Sequence, residues 1–366
     1  MKRPLVRPLP RVSFETAAFA LSGDPGFVAT DDSRNPGRRF SVVASCPSST
    51  LSFTGAFVTL DGRTAIDSPR TALASFLSRA AAFRRDPYLP FSGGAIGYVG
   101  FEGMRALSGF APAKGFSRFP QCRFGIYDTA AFFDHAEGTS FVVSAGEKAE
   151  EKAEELSRRL EGARPWQGPD GNARRPEGLC PDGVRFVPDD AAFGRLLSDA
   201  RDWLRSEKLS RLHLTRQAFT PSCGRSLVED FLAEGKPGFS SLLITHEGAA
   251  AVASSREPLA AGGKKADPVE SFLSSLPFSG TAGEPFEEAM AFVTNHEEEH
   301  RRFHGGAFGT ADASGFSFHR ISFSSFDADG AVAATAGVDM TADCDPSSVK
   351  AAIEEDRKSV VEGKSV

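Results

Sequence analysis

His296-Glu297-Glu298-Glu299-His300 has the HExxH form, and His304 lies one further turn along. On a helix, imidazoles four residues apart share a face and can hold a zinc ion while the intervening glutamate activates a bound water, so the pattern raises zinc-dependent hydrolysis. The surroundings point elsewhere. Two further glutamates stand between the histidines and Arg301-Arg302 follow at once, whereas a zinc helix is mostly apolar around its ligands. The plain alternative is a solvated helix end in which His296 continues the face of Met290 and Val293.

Two glycine-rich segments are the other candidates. The loop Pro277 to Pro285, PFSGTAGEP, precedes a helix and offers backbone amides to an anion, with small residues that let a ligand approach. The run Phe91 to Gly103, FSGGAIGYVGFEG, contains GGAIG, which recurs as GGAFG at Gly305 to Gly309. Paired glycines inside a strand weaken it and mark a bulge or a close approach of another backbone or a ligand. Two such runs suggest two sheets meeting at close quarters. Glu102 and Glu257 are the acids nearest these motifs and read as solvated strand-turn residues. Arg216 and Gln217 read as partners in buried structural hydrogen bonds.

The elements that must position these groups fall into two regions. Up to residue 145 the chain shows short strand runs (Arg39 to Ser45, Leu51 to Leu60, Gly93 to Phe101, Phe124 to Phe133, Ser140 to Ser144). One helix, Arg70 to Phe83, interrupts them with Leu73, Phe76, Leu77 and Ala80 at helical spacing. Residues 146–183 hold the charged helix EKAEEKAEELSRRLE and a linker rich in Gly, Pro and Arg. Region 184–355 opens with a helix capped by Asp189-Asp190, with Phe193, Leu196, Leu197, Ala200, Trp203 and Leu204 on one face. A strand around Leu212 to Ala218 follows, then a hairpin of Ser241 to Thr245 with Ala249 to Ala253 across Glu247-Gly248. A helix is expected over Pro285 to Glu299, followed by strands from Gly306 to Phe326 and Ala331 to Ala336. Residues 356–366, DRKSVVEGKSV, lack an apolar period and read as translated sequencing adapter, with the natural C-terminus lost.

Composition bounds the function classes. With 40% hydrophobic and 25% charged residues over 366 positions, the chain can bury one large core or two. A formal net charge of -6 gives no electrostatic reason to expect nucleic acid or an anionic membrane as partner. The basic start MKRPLVRPLPRV lacks an apolar stretch after it, and no run approaches the roughly 18 apolar residues of a membrane span. The expected compartment is the cytoplasm. Five cysteines with no CxxC spacing read as reduced thiols.

Taken in order, the segments resemble component I of the chorismate-amination enzymes, the aminodeoxychorismate synthase and anthranilate synthase family. LPFSGGAIGYVGFEG is similar to its first-half glycine signature, WLRSEKLSRLHLTRQAF to its helix-turn-strand segment, and LPFSGTAGEPFEEAM to its loop and helix. RRFHGGAFG through AVAATAGVDMTADCDP resembles the closing strands. The resemblance implies an α/β (α+β) fold, anthranilate synthase component I-like, with large antiparallel sheets packed face to face and flanking helices. It also implies chorismate as substrate, Mg as cofactor, a glutamine amidotransferase subunit as partner, and a place in folate or tryptophan precursor synthesis.

The same resemblance exposes losses. Between Gly262 and Val269 the family's middle block is missing, and with it a lysine-bearing strand, a metal-binding glutamate and a histidine that assists hydroxyl departure. Phe286 stands where the family has its loop lysine, Ser324 where it has an arginine and Thr310 where it has a tyrosine. Its carboxylate-binding Gly-Ala-Gly turn falls on Gly337, Val338 and Asp339, and its last metal-binding glutamate near Ala351 or Ala352. Thr281, Gly283, Gly306 and Gly337 remain as substrate-binding candidates of the backbone type; no catalytic residue and no metal ligand is assigned. The chain therefore reads as shortened and inactive, either a decayed or misassembled member or a non-catalytic paralogue.

Overall fold

The computed structural model describes residues 3–33, 40–80, 83, 89, 91–110, 118–168, 184–206, 209–221, 226–233, 240–255, 258–261, 268–274, 276, 280–297, 300–312, 315–328 and 330–362. In chain order the first region forms β1 (Leu5–Pro8), α1 (Phe14–Leu21), β2 (Val28–Asp31), β3 (Phe40–Ala44), β4 (Ser49–Thr54), β5 (Phe57–Leu60), β6 (Arg63–Ile66), α2 (Pro69–Ala80), β7 (Gly94–Val99), α3 (Phe101–Leu107), β8 (Cys122–Tyr127), β9 (Thr129–Asp134) and β10 (Thr139–Ser144). Helix α4 (Ala149–Glu161) follows, then β11 (Arg185–Val187), α5 (Asp190–Arg205), β12 (Arg211–Pro221), α6 (Leu227–Ala233), β13 (Ser240–His246), β14 (Ala249–Ser255), β15 (Pro258–Ala261) and α7 (Pro268–Ser274). The chain continues through β16 (Gly283–Glu284), α8 (Phe286–His296), β17 (Ala307–Asp312), β18 (Gly315–Arg320), β19 (Phe323–Ala328), β20 (Ala331–Met340) and α9 (Pro346–Glu362).

The strands form two antiparallel sheets. The larger runs β1-β10-β9-β3-β2-β13-β14-β19-β20-β12-β11, with β16 added beside β12, and the smaller runs β15-β18-β17-β7-β8-β4-β5-β6. Strands from before and after α4 share both sheets. Their inner faces meet in a core of Leu242, Ala251, Phe326 and Ala333 from the larger sheet against Ile96, Tyr98 and Phe308 from the smaller. Helices α1, α4 and α6 cover the outer face of the larger sheet. The outer face of the smaller sheet is covered by α2, α7 and α8, whose core continues into α5.

Local sequence accounts for much of this. Leu73, Phe76, Leu77 and Ala80 of α2 are all buried, as their 3.6-residue spacing requires. Asp189 caps α5 by accepting from the Ala192 amide at 2.8 Å, satisfying one of the helix's orphan donors. The β13–β14 turn places Glu247 and Gly248 at φ of 49° and 76°, as a two-residue hairpin with matching twist demands. The linker residues 169–183 lie outside the described residues.

The two glycine runs correct one expectation. They are neighbouring strands of one sheet, with β7 paired to β17 and Gly97 directly opposite Gly309. A Cβ on Gly97 would collide with the Arg123 carbonyl of β8, and one on Gly309 with the Ser317 carbonyl of β18. Glycine here lets four strands pass at tight spacing through the sheet centre.

Candidate functional site

Strands β12, β20 and β19 present their inward residues toward the segment 300–306. On β20, Ala333, Thr335, Gly337 and Asp339 share this face, opposite Phe219, Gln217, Thr215 and His213 of β12. Asp339 anchors one end: Arg211 Nη1 donates to its Oδ2 at 2.7 Å, and His213 Nδ1 lies 2.7 Å from its Oδ1. Arg211 Nη2 also donates to Glu284 at 2.7 Å. Burial pushes the Asp339 carboxyl up, but the hydrogen bonds and charges of His213 and Arg211 outweigh it and hold the group down to about 2.

Beyond His213 the chain of contacts continues. Its Nε2 lies 2.9 Å from His304 Nε2, with the rings stacked at 10°. Asp339 is ionised, so His213 Nδ1 donates to it and Nε2 is left as an acceptor. His304 faces that nitrogen through its own Nε2, and its ring is also bonded to the Thr335 backbone. Burial depresses both imidazoles, His304 well below the ordinary value, and the nearby Arg301 and Arg320 guanidiniums add to this. Gly337 supports the pair, because a Cβ there would strike Nε2 of both rings.

Arg301 ties the site to the smaller sheet. It is fully buried, ion-paired to Glu297 at 2.5 Å, and donates to the Thr281 carbonyl at 2.8 Å and the His213 carbonyl at 2.6 Å. Its guanidinium stacks 4.6 Å over Phe101. Its own amide donates to Glu102 Oε1 at 2.8 Å, and His300 Nδ1 lies 3.7 Å from the same carboxylate. Gln217 Nε2 donates to the His300 carbonyl. Every polar arm of Arg301 that meets the site is thus committed to protein, so its charge holds the 300–304 segment in place.

Residues 37–265 match the chorismate binding enzyme family. The chain belongs to that family. Anthranilate synthase component 1 of Lactococcus lactis subsp. lactis (strain IL1403) is 27% identical over 128 residues, a stretch covering 34% of this chain and 28% of that relative's length. Among solved structures, anthranilate synthase component I from Streptococcus pneumoniae TIGR4 superposes with a TM-score of 0.72 at 17% identity, covering 88% of this chain and 92% of that one. MenF, the menaquinone-specific isochorismate synthase from Escherichia coli, gives 0.63 at 12% identity, covering 100% and 96%. At these identities the likeness is one of fold.

Within this chorismate binding fold, Thr281 and Gly337 are brought together around Arg301 and the His213–His304 pair. Gly283 pairs with Leu212 at the start of β12, and Gly306 packs its backbone against Val99 and Gly100. Residues 277–279 of the expected anion loop and Glu257 lie outside the described residues. Helix α8 ends at His296, and Glu297 is already extended at φ -90°, ψ 118°. His296 and His300 therefore share no helical face, which corrects the zinc-hydrolase alternative. His296 stacks on Phe292 and lies 3.3 Å from Asp199, whereas His300 turns to Glu102. Among the described residues no three His, Cys, Asp or Glu are grouped to hold a metal ion.

Two further expectations are corrected. Glu102 is buried and bonded rather than solvated, and Arg301 sits in the interior instead of on a solvated helix end. Arg216 is buried as expected, stacking on Phe186 and Phe193 and donating to the Pro188 carbonyl and Asp190. Sequence reasoning passes over His213 and treats His304 only as an extension of HExxH. The one signal available is a histidine and an aspartate, His213 and Asp339, each inside a strand.

Proposed function

We propose that this chain carries the chorismate-binding scaffold in a catalytically impaired form. It derives from a component I protein, one that aminates chorismate with Mg and with ammonia from a glutamine amidotransferase partner in folate or tryptophan precursor synthesis. The observation that carries the reading is Asp339. Its carboxylate, held ionised by Arg211 and His213, stands where the resemblance expects amides that receive a substrate carboxylate. An anion brought there meets a fixed negative charge whose two nearest donors are already engaged.

The remaining positions support the same reading. Ser324 on β19 is neutral and buried where an arginine is expected, and losing one partner of a buried ion pair costs about 2–5 kcal/mol of binding. Positions 351 and 352 on α9, where the resemblance expects a carboxylate for Mg, are alanines. Among the described residues no three His, Cys, Asp or Glu are grouped to hold a metal ion, so the residues present do not fit Mg. Groups of such a site act together, so a partial set retains little activity.

Calorimetric titration of the protein with chorismate in the presence of Mg tests the proposal. No heat of binding is expected, and a sub-millimolar isotherm overturns it. Chorismate turnover by the same protein overturns it equally.

A further inference from the structure

The smaller sheet ends on β6, and among the described residues no strand pairs with its other side. Strand β6 follows β5 through Asp61 and Gly62 at φ of 49° and 78°, the two left-handed positions of a tight hairpin turn. The Asp67 amide donates to the Ala56 carbonyl, in line with the pairs Val58–Ala65 and Leu60–Arg63. Arg63, Ala65 and Asp67 therefore turn their backbone groups to β5, and Thr64 and Ile66 turn theirs outward. Every residue from Arg63 to Asp67 is exposed. Ile66 is 78% exposed and its cross-strand partner Phe57 is 59% exposed. Native sheets blunt such edges with proline, lysine or a bulge. The edge strand β1 of the larger sheet ends in Arg7 and Pro8, whereas β6 reads Arg-Thr-Ala-Ile and pairs with β5 without a register shift.

A second copy of the chain fits this edge in one register. Antiparallel pairing about a two-fold axis sets outward-turned residues opposite each other, which places the axis at Thr64, Ala65 or Ile66. An axis at Thr64 puts Asp61 opposite Asp67 of the partner subunit, and like charges directly opposed are destabilising. An axis at Ile66 puts Arg63 opposite Pro69 of the partner subunit, where α2 already leaves the strand direction. An axis at Ala65 sets Arg63 opposite Asp67 of the partner subunit at both ends of the seam, a favourable pair. Thr64 then exchanges backbone hydrogen bonds with Ile66 of the partner subunit, and the two Ile66 side chains become diagonal neighbours that cover each other. We propose that two copies of this chain join edge to edge along β6 about Ala65, forming one continuous sheet.

Analytical ultracentrifugation of the full chain over a range of concentrations tests it. The seam is short, so a dimer with Kd on the order of 100 μM is expected. Thr64→Pro removes an outward amide while leaving the pairing with β5 intact, and should abolish the dimer. Asp67→Arg sets arginine opposite arginine at both ends and should weaken association about tenfold or more. Adding Arg63→Asp to Asp67→Arg exchanges the charges and should bring Kd back to within about threefold of wild type. These two surface variants carry the test if the proline variant fails to fold, and thermal unfolding confirms that each protein is native. A chain that stays monomeric throughout, leaving the edge to another partner, overturns the proposal. So does a dimer that ignores all three variants, or one that the charge exchange fails to restore.

Discussion

His213 Nε2 and His304 Nε2 face each other at 2.9 Å, joining two residues 91 positions apart into one buried unit with Asp339. Burial lowers both imidazoles from their ordinary value near 6.5. The unfolded chain takes up protons there while the folded chain does not. The contribution of this pair to stability is therefore complete above about pH 6.5 and lost as pH falls below it. Asp339 works in a separate window: its carboxyl is lowered to about 2, so its contribution is present above about pH 3.9 and lost below. Urea denaturation at pH 7.5 and 5.5 should show wild-type stability falling on acidification, with a flatter dependence in His304→Gln. Equal slopes for the two proteins would refute the coupling.

Arg301 and Glu297 give the largest expected single effect. Both side chains are buried and share two hydrogen bonds, at 2.7 and 2.5 Å. Arg301→Met strands a buried carboxylate and should cost about 3–5 kcal/mol in urea denaturation. Lysine cannot reproduce the bidentate pair and should recover little. Adding Glu297→Gln to Arg301→Met should restore part of the loss. A double variant as unstable as the sum of the two singles would show that the pair is not coupled.

The centre of the smaller sheet gives a test with opposite signs. Gly97→Ala and Gly309→Ala each drive a methyl into the carbonyl of the next strand, and overpacking of this kind costs about 1–3 kcal/mol. At Gly194 in α5 a methyl would meet nothing within 4 Å, so Gly194→Ala should stabilise by about 0.5–1 kcal/mol. Thermal denaturation of the three variants checks both directions. Strand glycines that tolerate alanine would remove the packing account.

These cases show where sequence alone suffices. Periodicity locates α2 because one helix face meets one core, and the cap at Asp189 and the turn at Glu247-Gly248 are local devices read from adjacent residues. The glycine echo is visible, but which strand each copy pairs with depends on topology, and the two copies are neighbours. The site is harder to see. Its polar groups come from β12, β20 and the 300–304 segment, and nothing in the local sequence indicates that His213 meets His304. The charged stretch around Arg301 reads as solvated because charge usually is. Here Glu297, Phe101 and two backbone carbonyls surround that charge inside the fold, a compensation made by residues distant in sequence.

Asp339 offers the most direct test of the proposal that a fixed charge keeps anions out of the site. Asparagine at this position keeps the shape and an oxygen that can accept from His213 while removing the charge, and Asp339→Asn should fold with only a modest loss from the weakened Arg211 contact. If the fixed charge is what excludes a carboxylate, the variant should bind chorismate at least tenfold more tightly than the wild type, a change of about 1.4 kcal/mol. Asp339→Asn combined with Ser324→Arg, which places a cation on β19, should gain further. Raising the salt concentration should narrow the difference between wild type and Asp339→Asn, because the repulsion it removes is partly screened. Calorimetry on the three proteins at two salt concentrations reads all of this, and affinities that do not move with the charge would show that the site is closed by its shape.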